Sequence, residues 1–165
     1  MGNSTWALAD DGELMSMGGD IGQAPPLHDV LSNNGIEPGQ VKSIEFTKTT
    51  SAHDITDMLG NLPNLQKITK ISNLHYSGNG DQMFRDNTVL ESIDFKGFDT
   101  SQVTSMYGMF DNAGKLSSLN IKISTHVKLI AWALCLIMLS PMILMCLLSI
   151  LVMLIIWKGC LMALL

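Results

Sequence analysis

Cysteine is missing from everything before Cys135, acid from everything after Asp111, and charge of either sign from residues 129–157. The first absence excludes a disulfide framework and a thiol nucleophile from the front of the chain. Cys135, Cys146 and Cys160 all lie in the tail, and no two are spaced two to four apart as zinc ligands are. Basic residues are scattered: residues 1–126 carry 8 Lys+Arg against 15 Asp+Glu, a net −7. Phosphate binding needs clustered cations that release counterions, so nucleic acid is excluded as a partner. The opening Met1-Gly2-Asn3-Ser4-Thr5-Trp6 has no basic stretch followed by an apolar one, so no export signal is expected there. Trp6 stands where a myristoylation motif requires Ser or Thr.

Reaction chemistry is equally sparse. His28, His53, His75 and His126 stand alone, without ligand spacing around them. The runs Asp10-Asp11-Gly12 and Gly78-Asn79-Gly80-Asp81 lack the alternating oxygens and closing Glu of a calcium loop and read as turns. No glycine-rich phosphate loop or nucleophile elbow is present. The sequence therefore supplies no catalytic, cofactor-binding or metal residue, and a non-enzymatic protein is expected.

What is present is a beat of about 25 residues, a period that marks stacked-repeat architectures. Four segments share it: Val41-Lys42-Ser43-Ile44-Glu45-Phe46, Leu65-Gln66-Lys67-Ile68-Thr69-Lys70, Leu90-Glu91-Ser92-Ile93-Asp94-Phe95 and Leu116-Ser117-Ser118-Leu119-Asn120-Ile121. The later apolar positions alternate as one face of a strand must, and the first anchors the turn that leads into it. A second element, Met58-Leu59, Met83-Phe84 and Met109-Phe110, runs ahead of the last three of these strands at a constant offset. One such unit cannot bury its apolar face alone, so the units are expected to stack, strand parallel to strand, into a short solenoid. Met106 and Met109, three apart, also allow a short helix over Thr104–Phe110. Ahead of the repeats, Trp6-Ala7-Leu8, Asp11-Gly12 and Leu14 to Met17 read as a β-hairpin, as if a domain were entered midway.

The stretch Phe98-Asp99-Thr100-Ser101-Gln102-Val103-Thr104-Ser105-Met106-Tyr107-Gly108-Met109-Phe110, followed by Leu116-Ser117-Ser118-Leu119, resembles the BspA-type leucine-rich repeat of bacterial surface proteins. That signature runs F-D-T-S-x-V-x-x-M-x-x-M-F and then L-x-x-L. The match is specific over residues 83–121 and looser over 41–82, where the Asp-Thr-Ser element is eroded. The resemblance implies a secreted or wall-attached binding protein, often an adhesin, without catalytic residues. Its partner would be a host or matrix protein or a glycan, met at the extracellular surface.

The tail admits two readings. Residues 129–157 form an uncharged run, longer than the roughly 20 apolar residues that cross a bilayer. Trp132 and Trp157 would sit toward the interfaces, and Lys122 and Lys128 ahead of the run would keep the front half cytoplasmic. Yet Trp132-Ala133-Leu134-Cys135-Leu136-Ile137 and Trp157-Lys158-Gly159-Cys160-Leu161-Met162 recur at the beat of the front half, which a membrane span has no reason to keep. A tail translated one base out of register explains it. Under the standard code, Met142 before Ile143 then forces Asp, Met145 before Cys146 forces Val, and Met162 before Ala163 forces Gly. Residues 123–139 read back this way permit most of the Phe98–Ala113 pattern.

The expected organisation is mainly β: an N-terminal β cap over 1–40, about three repeats over 41–122, and an apolar tail over 123–165. The expected function is a surface-binding fragment truncated by a frameshift; the alternative is a small single-pass membrane protein anchored through 129–157. Binding would use an extended repetitive face, with Glu91, Asp94, Lys96, Lys115 and Asn120 as its solvent positions.

Overall fold

Trp6–Leu8 (β1) and Glu13–Ser16 (β2) form an antiparallel hairpin, Trp6 opposite Ser16 and Leu8 opposite Leu14. Its turn needs Gly12: φ is +91°, and a Cβ there would sit 2.6 Å from the Gln40 carbonyl oxygen. The computed structural model describes residues 4–116. Beyond the hairpin come β3 (Gly19–Gln23), helix α1 (Leu27–Asn33), then β4 (Ser43–Phe46), β5 (Thr50–Asp54), β6 (Lys67–Thr69), β7 (Leu74–Tyr76), β8 (Gly78–Asn79), β9 (Ser92–Ile93) and β10 (Val103–Ser105). The described chain is mainly β.

The described strands form three sheets, ordered β1-β2-β4-β6-β9, β3-β5-β7 and β10-β8. Among the described residues every pairing except the hairpin is parallel. The registers keep the sequence beat: Ser43 lies opposite Lys67 and Lys67 opposite Ser92, each one repeat further along the chain. Parallel neighbours so close in sequence require each intervening segment to return the chain to its starting edge.

The apolar positions meet because the registers align them. Leu14 pairs with Ile44, Ile44 with Ile68 and Ile68 with Ile93, a column of buried side chains running across the first sheet. Val41, Leu65, Leu90 and Leu116, the leading residue of each repeat, are all buried, as are Met58, Met83 and Met109. Phe84 and Phe110 stack, and Phe95 packs edge-on against both. Burying each of these side chains contributes about 1.5–3 kcal/mol of hydrophobic stabilisation.

Between the sheets the backbone itself is periodic. Asp57, Leu59 and Asn61 donate their N–H groups to the carbonyls of Asp81, Met83 and Arg85. Gln82, Phe84 and Asp86 do the same to Tyr107, Met109 and Asp111. The corners repeat as well: φ is positive at Asp57, Gln82 and Gly108, and again at Asn61, Asp86 and Asn112. Asp, Asn and Gly tolerate this left-handed conformation better than other residues and fill five of these six places, Gln82 being the exception. Asn87 sits in the core with its amide bonded at both ends: its Oδ1 accepts from Leu62 N at 2.9 Å and its Nδ2 donates to Leu59 O at 2.7 Å.

Three local features depart from the sequence pattern. Lys70 occupies the position that Phe46 and Phe95 fill with buried rings, but its φ of +52° turns the chain, so the Lys70 side chain reaches solvent and Ile71 is buried instead. The stretch Thr104–Phe110 forms no helix, because Val103–Ser105 is committed to pairing with β8 and residues 107–112 make turns. Helix α1 and the sheet β3-β5-β7 lie outside the repeat segments read from the sequence, although β5 and β7 pair at the same beat, Ser51 opposite His75. Of the fourth repeat strand only Leu116 is described; Ser117–Ile121 and the tail 123–165, with its span 129–157, lie outside the described residues. Among the described residues no helix is long and apolar enough to cross a membrane.

Candidate functional site

Two exposed surfaces follow from this architecture. The first is the outer face of β4, β6 and β9, where residues between the buried isoleucines point to solvent. Across the strands, Ser43, Lys67 and Ser92 stand in one row, and Glu45 and Thr69 in the next. Lys70 closes one edge of this face with an ion pair to Glu45, Nζ to Oε1 2.6 Å. That hydrogen bond, and then the carboxylate's charge, hold the Lys70 ammonium above its ordinary pKa.

Of the five residues expected to form a binding face, four are described, and all four are exposed. Glu91 and Asp94 flank β9, anchored by Glu91 N to Gln66 O at 2.9 Å and Asp94 N to Ile68 O at 3.0 Å. Lys96 follows, its N–H bonded to Asp94 Oδ1 at 3.1 Å. These three therefore share one rim. Lys115 sits in a separate turn, and no ion pair among the described residues joins it to them. Asn120 lies outside the described residues.

The second surface has no counterpart in the expectations drawn from sequence. β5 and β7 alternate strictly: Thr50, Ala52, Leu74 and Tyr76 are buried, while Ser51, His53 and His75 are exposed. Ser51 lies opposite His75 in the register. Together with Ser77, Asp99 and Gln102 from the adjoining loops they line a groove of about 330 Å³. Gly78 shapes its edge: with φ at +99°, a Cβ would sit 2.6 Å from the His53 carbonyl oxygen. Asp99 is locked by Ser101, whose N–H and hydroxyl reach its two carboxylate oxygens at 2.8 and 3.0 Å. These bonds, the backbone one foremost, hold its carboxyl below the usual range, and the nearby His75 adds to the effect. The sequence does carry a signal for this groove. Ser51-x-His53 and His75-x-Ser77 are polar pairs one beat apart, each straddling an inward residue.

At the corner beside α1, Arg85 lies 3.7 Å from Asp57 and 3.1 Å from Asp86. Burial raises the Asp57 pKa, and this outweighs the opposing charges of Arg85 and His28. Among the described residues no group of three His, Cys, Asp or Glu is arranged to hold a metal ion.

The surfaces are thus repetitive and polar, carried on a ladder whose period runs through the middle of the chain. A family model described as "Mycoplasma protein of unknown function, DUF285" matches residues 31–129. The chain belongs to that family. Its matched region takes in the strands from β4 to β10 and both candidate surfaces, so the DUF285 pattern and the observed ladder coincide. The DUF285 family is a surface-protein-like repeat family. No curated protein and no solved structure matches the chain.

Proposed function

We propose that this DUF285 protein is a non-enzymatic cell-surface binding protein fragment, built from BspA-type leucine-rich repeats stacked as a short solenoid. The observation that carries the reading is the register: side chains one repeat apart stand side by side, so exposed residues form rows rather than a single pocket. Such a surface binds by extended complementarity, and no one residue dominates it. The partner is a host or matrix protein or glycan. The tail, in this reading, is the same repeat shifted by one base, and the parent protein is displayed at the extracellular surface.

The binding test uses the full chain in detergent, immobilised and exposed to purified collagen, laminin and fibronectin. Saturable micromolar binding to one of them supports the reading, provided that combined charge reversal at Lys67, Glu91 and Asp94 abolishes it. Absence of saturable binding to all three and to the sugars tested below contradicts it. The second reading, a membrane protein anchored through 129–157, rests on the unbroken lack of charge over that stretch. The gene separates the two. Restoring one base near codon 122 continues the repeat in the first reading and gives an unrelated sequence in the second.

A further inference from the structure

We propose that the groove over β5 and β7 binds a neutral oligosaccharide. The inference rests on the binding reading above and names the ligand class of one of its two surfaces.

The chemistry of the lining decides the class. Among the described residues no lysine or arginine lines the groove, so phosphate, sulfate and uronate groups find no cation there. Asp99, kept ionised by Ser101, adds a repulsive charge. A bare divalent cation lacks a third correctly placed ligand among the described residues. An apolar peptide is disfavoured too, because Ala52 and Tyr76, the apolar residues beneath, are buried and the exposed positions are polar.

A neutral polyol fits what remains. Each sugar hydroxyl both donates and accepts. Serine hydroxyls and the Gln102 amide also do both, the imidazole nitrogens of His53 and His75 add further polar contacts, and the Asp99 carboxylate accepts from donors that Ser101 leaves room for. Three of the groups are fixed on strands, Ser51 and His53 on β5 and His75 on β7: Ser51 stands opposite His75 on adjacent strands, spaced by about 4.8 Å as strand pairs are. That interval is close to the length of one pyranose ring, so a linear glycan crossing the strands meets a new polar row at each sugar. At about 330 Å³ the groove lies within the usual size of ligand sites, which run from about 300 to 1,000 Å³. Its openness to solvent and lack of an exposed aromatic platform set the expected affinity near a dissociation constant of about 1 mM.

The test is a titration of the full chain, ¹³C-labelled at histidine, in a detergent without a sugar headgroup. The probes are chitotetraose, maltotetraose, lacto-N-tetraose and a heparin tetrasaccharide. The expected result is a saturable shift of the His53 and His75 ring signals with at least one neutral probe, while His28, on α1, does not move. His75→Ala and Gln102→Ala, both at exposed positions, each weaken that binding about tenfold with unchanged circular dichroism. Three outcomes overturn the proposal: no neutral probe shifts these signals up to about 10 mM, heparin binds as well as the neutral probes, or the variants bind like the parent chain. If sugars fail while matrix-protein binding through the β4-β6-β9 face persists, only this proposal falls. If both fail, the binding reading falls with it.

Discussion

Phe84 and Phe110, one repeat apart in the chain, stack with ring centroids 5.3 Å apart and planes 11° from parallel. Each occupies the same place in its repeat, so their contact is the sequence periodicity turned into packing. Phe84 also meets Phe95 edge-on at 6.1 Å, which ties the corner of one repeat to the strand that follows. Phe84→Ala should therefore open a cavity shared by two repeats and cost about 3–5 kcal/mol. Urea unfolding followed by circular dichroism checks this; a loss below about 1 kcal/mol would mean that the repeats do not pack on each other here.

Asn87 makes a different prediction, because it holds a polar group inside the same core. Its amide satisfies Leu62 N and Leu59 O, which are otherwise turned into apolar surroundings. Leu62 and Ala113 fill the corresponding places in the neighbouring repeats, so the size of the site alone does not demand an asparagine. Asn87→Leu should nonetheless destabilise the chain by about 2–3 kcal/mol, through two orphaned backbone groups rather than lost volume. The same unfolding measurement distinguishes the cases, and a neutral or stabilising effect would show that the bonds are dispensable.

The corner at Asp57 carries a pH dependence. Burial raises its carboxyl pKa above the ordinary 3.8, with Arg85 and His28 opposing. A raised folded-state value means that the native protein holds this proton where the unfolded chain has released it. The stability it contributes is complete below about 3.8 and is lost as pH rises through the folded value. Asp57→Asn keeps the left-handed conformation, which asparagine tolerates. At pH 7 the variant should be more stable than the parent by a fraction of a kcal/mol, the gain being reduced by solvent screening at this part-exposed site. The gain should disappear in unfolding measurements below about pH 3.8. A loss of stability at pH 7 would show that the pairing with Arg85 outweighs desolvation.

The elements most legible in the sequence are those whose residues point into the core. Val41, Ile44, Leu65, Ile68, Leu90 and Ile93 announce β4, β6 and β9 because parallel stacking demands the same apolar pattern in every repeat. The hairpin is legible from Asp11-Gly12, a turn with few alternatives. The sheet β3-β5-β7 is not. Gly19–Gln23 and Thr50–Asp54 offer one isoleucine and one alanine as apolar residues, and their ladder is set by backbone bonding from neighbouring strands. Lys70 breaks the pattern through a backbone dihedral, which no hydrophobic periodicity records. The rim of Glu91, Asp94 and Lys96 is readable because outward positions follow once the inward ones are known. The groove is harder to read: its only trace in the sequence is the pair Ser51-x-His53 and His75-x-Ser77, ordinary polar residues that the fold alone gathers across repeats.

A ladder of repeats bonded backbone to backbone has a signature that can be read atom by atom. Through-hydrogen-bond scalar couplings, measured on the labelled full chain, should link Leu59 N to the Met83 carbonyl and Phe84 N to the Met109 carbonyl. Couplings at these separations, one repeat long, are the predicted result. Couplings between residues four apart across Met58–Phe84, the mark of a helix, would contradict it, and so would exchange of these amides at the rate of an open chain.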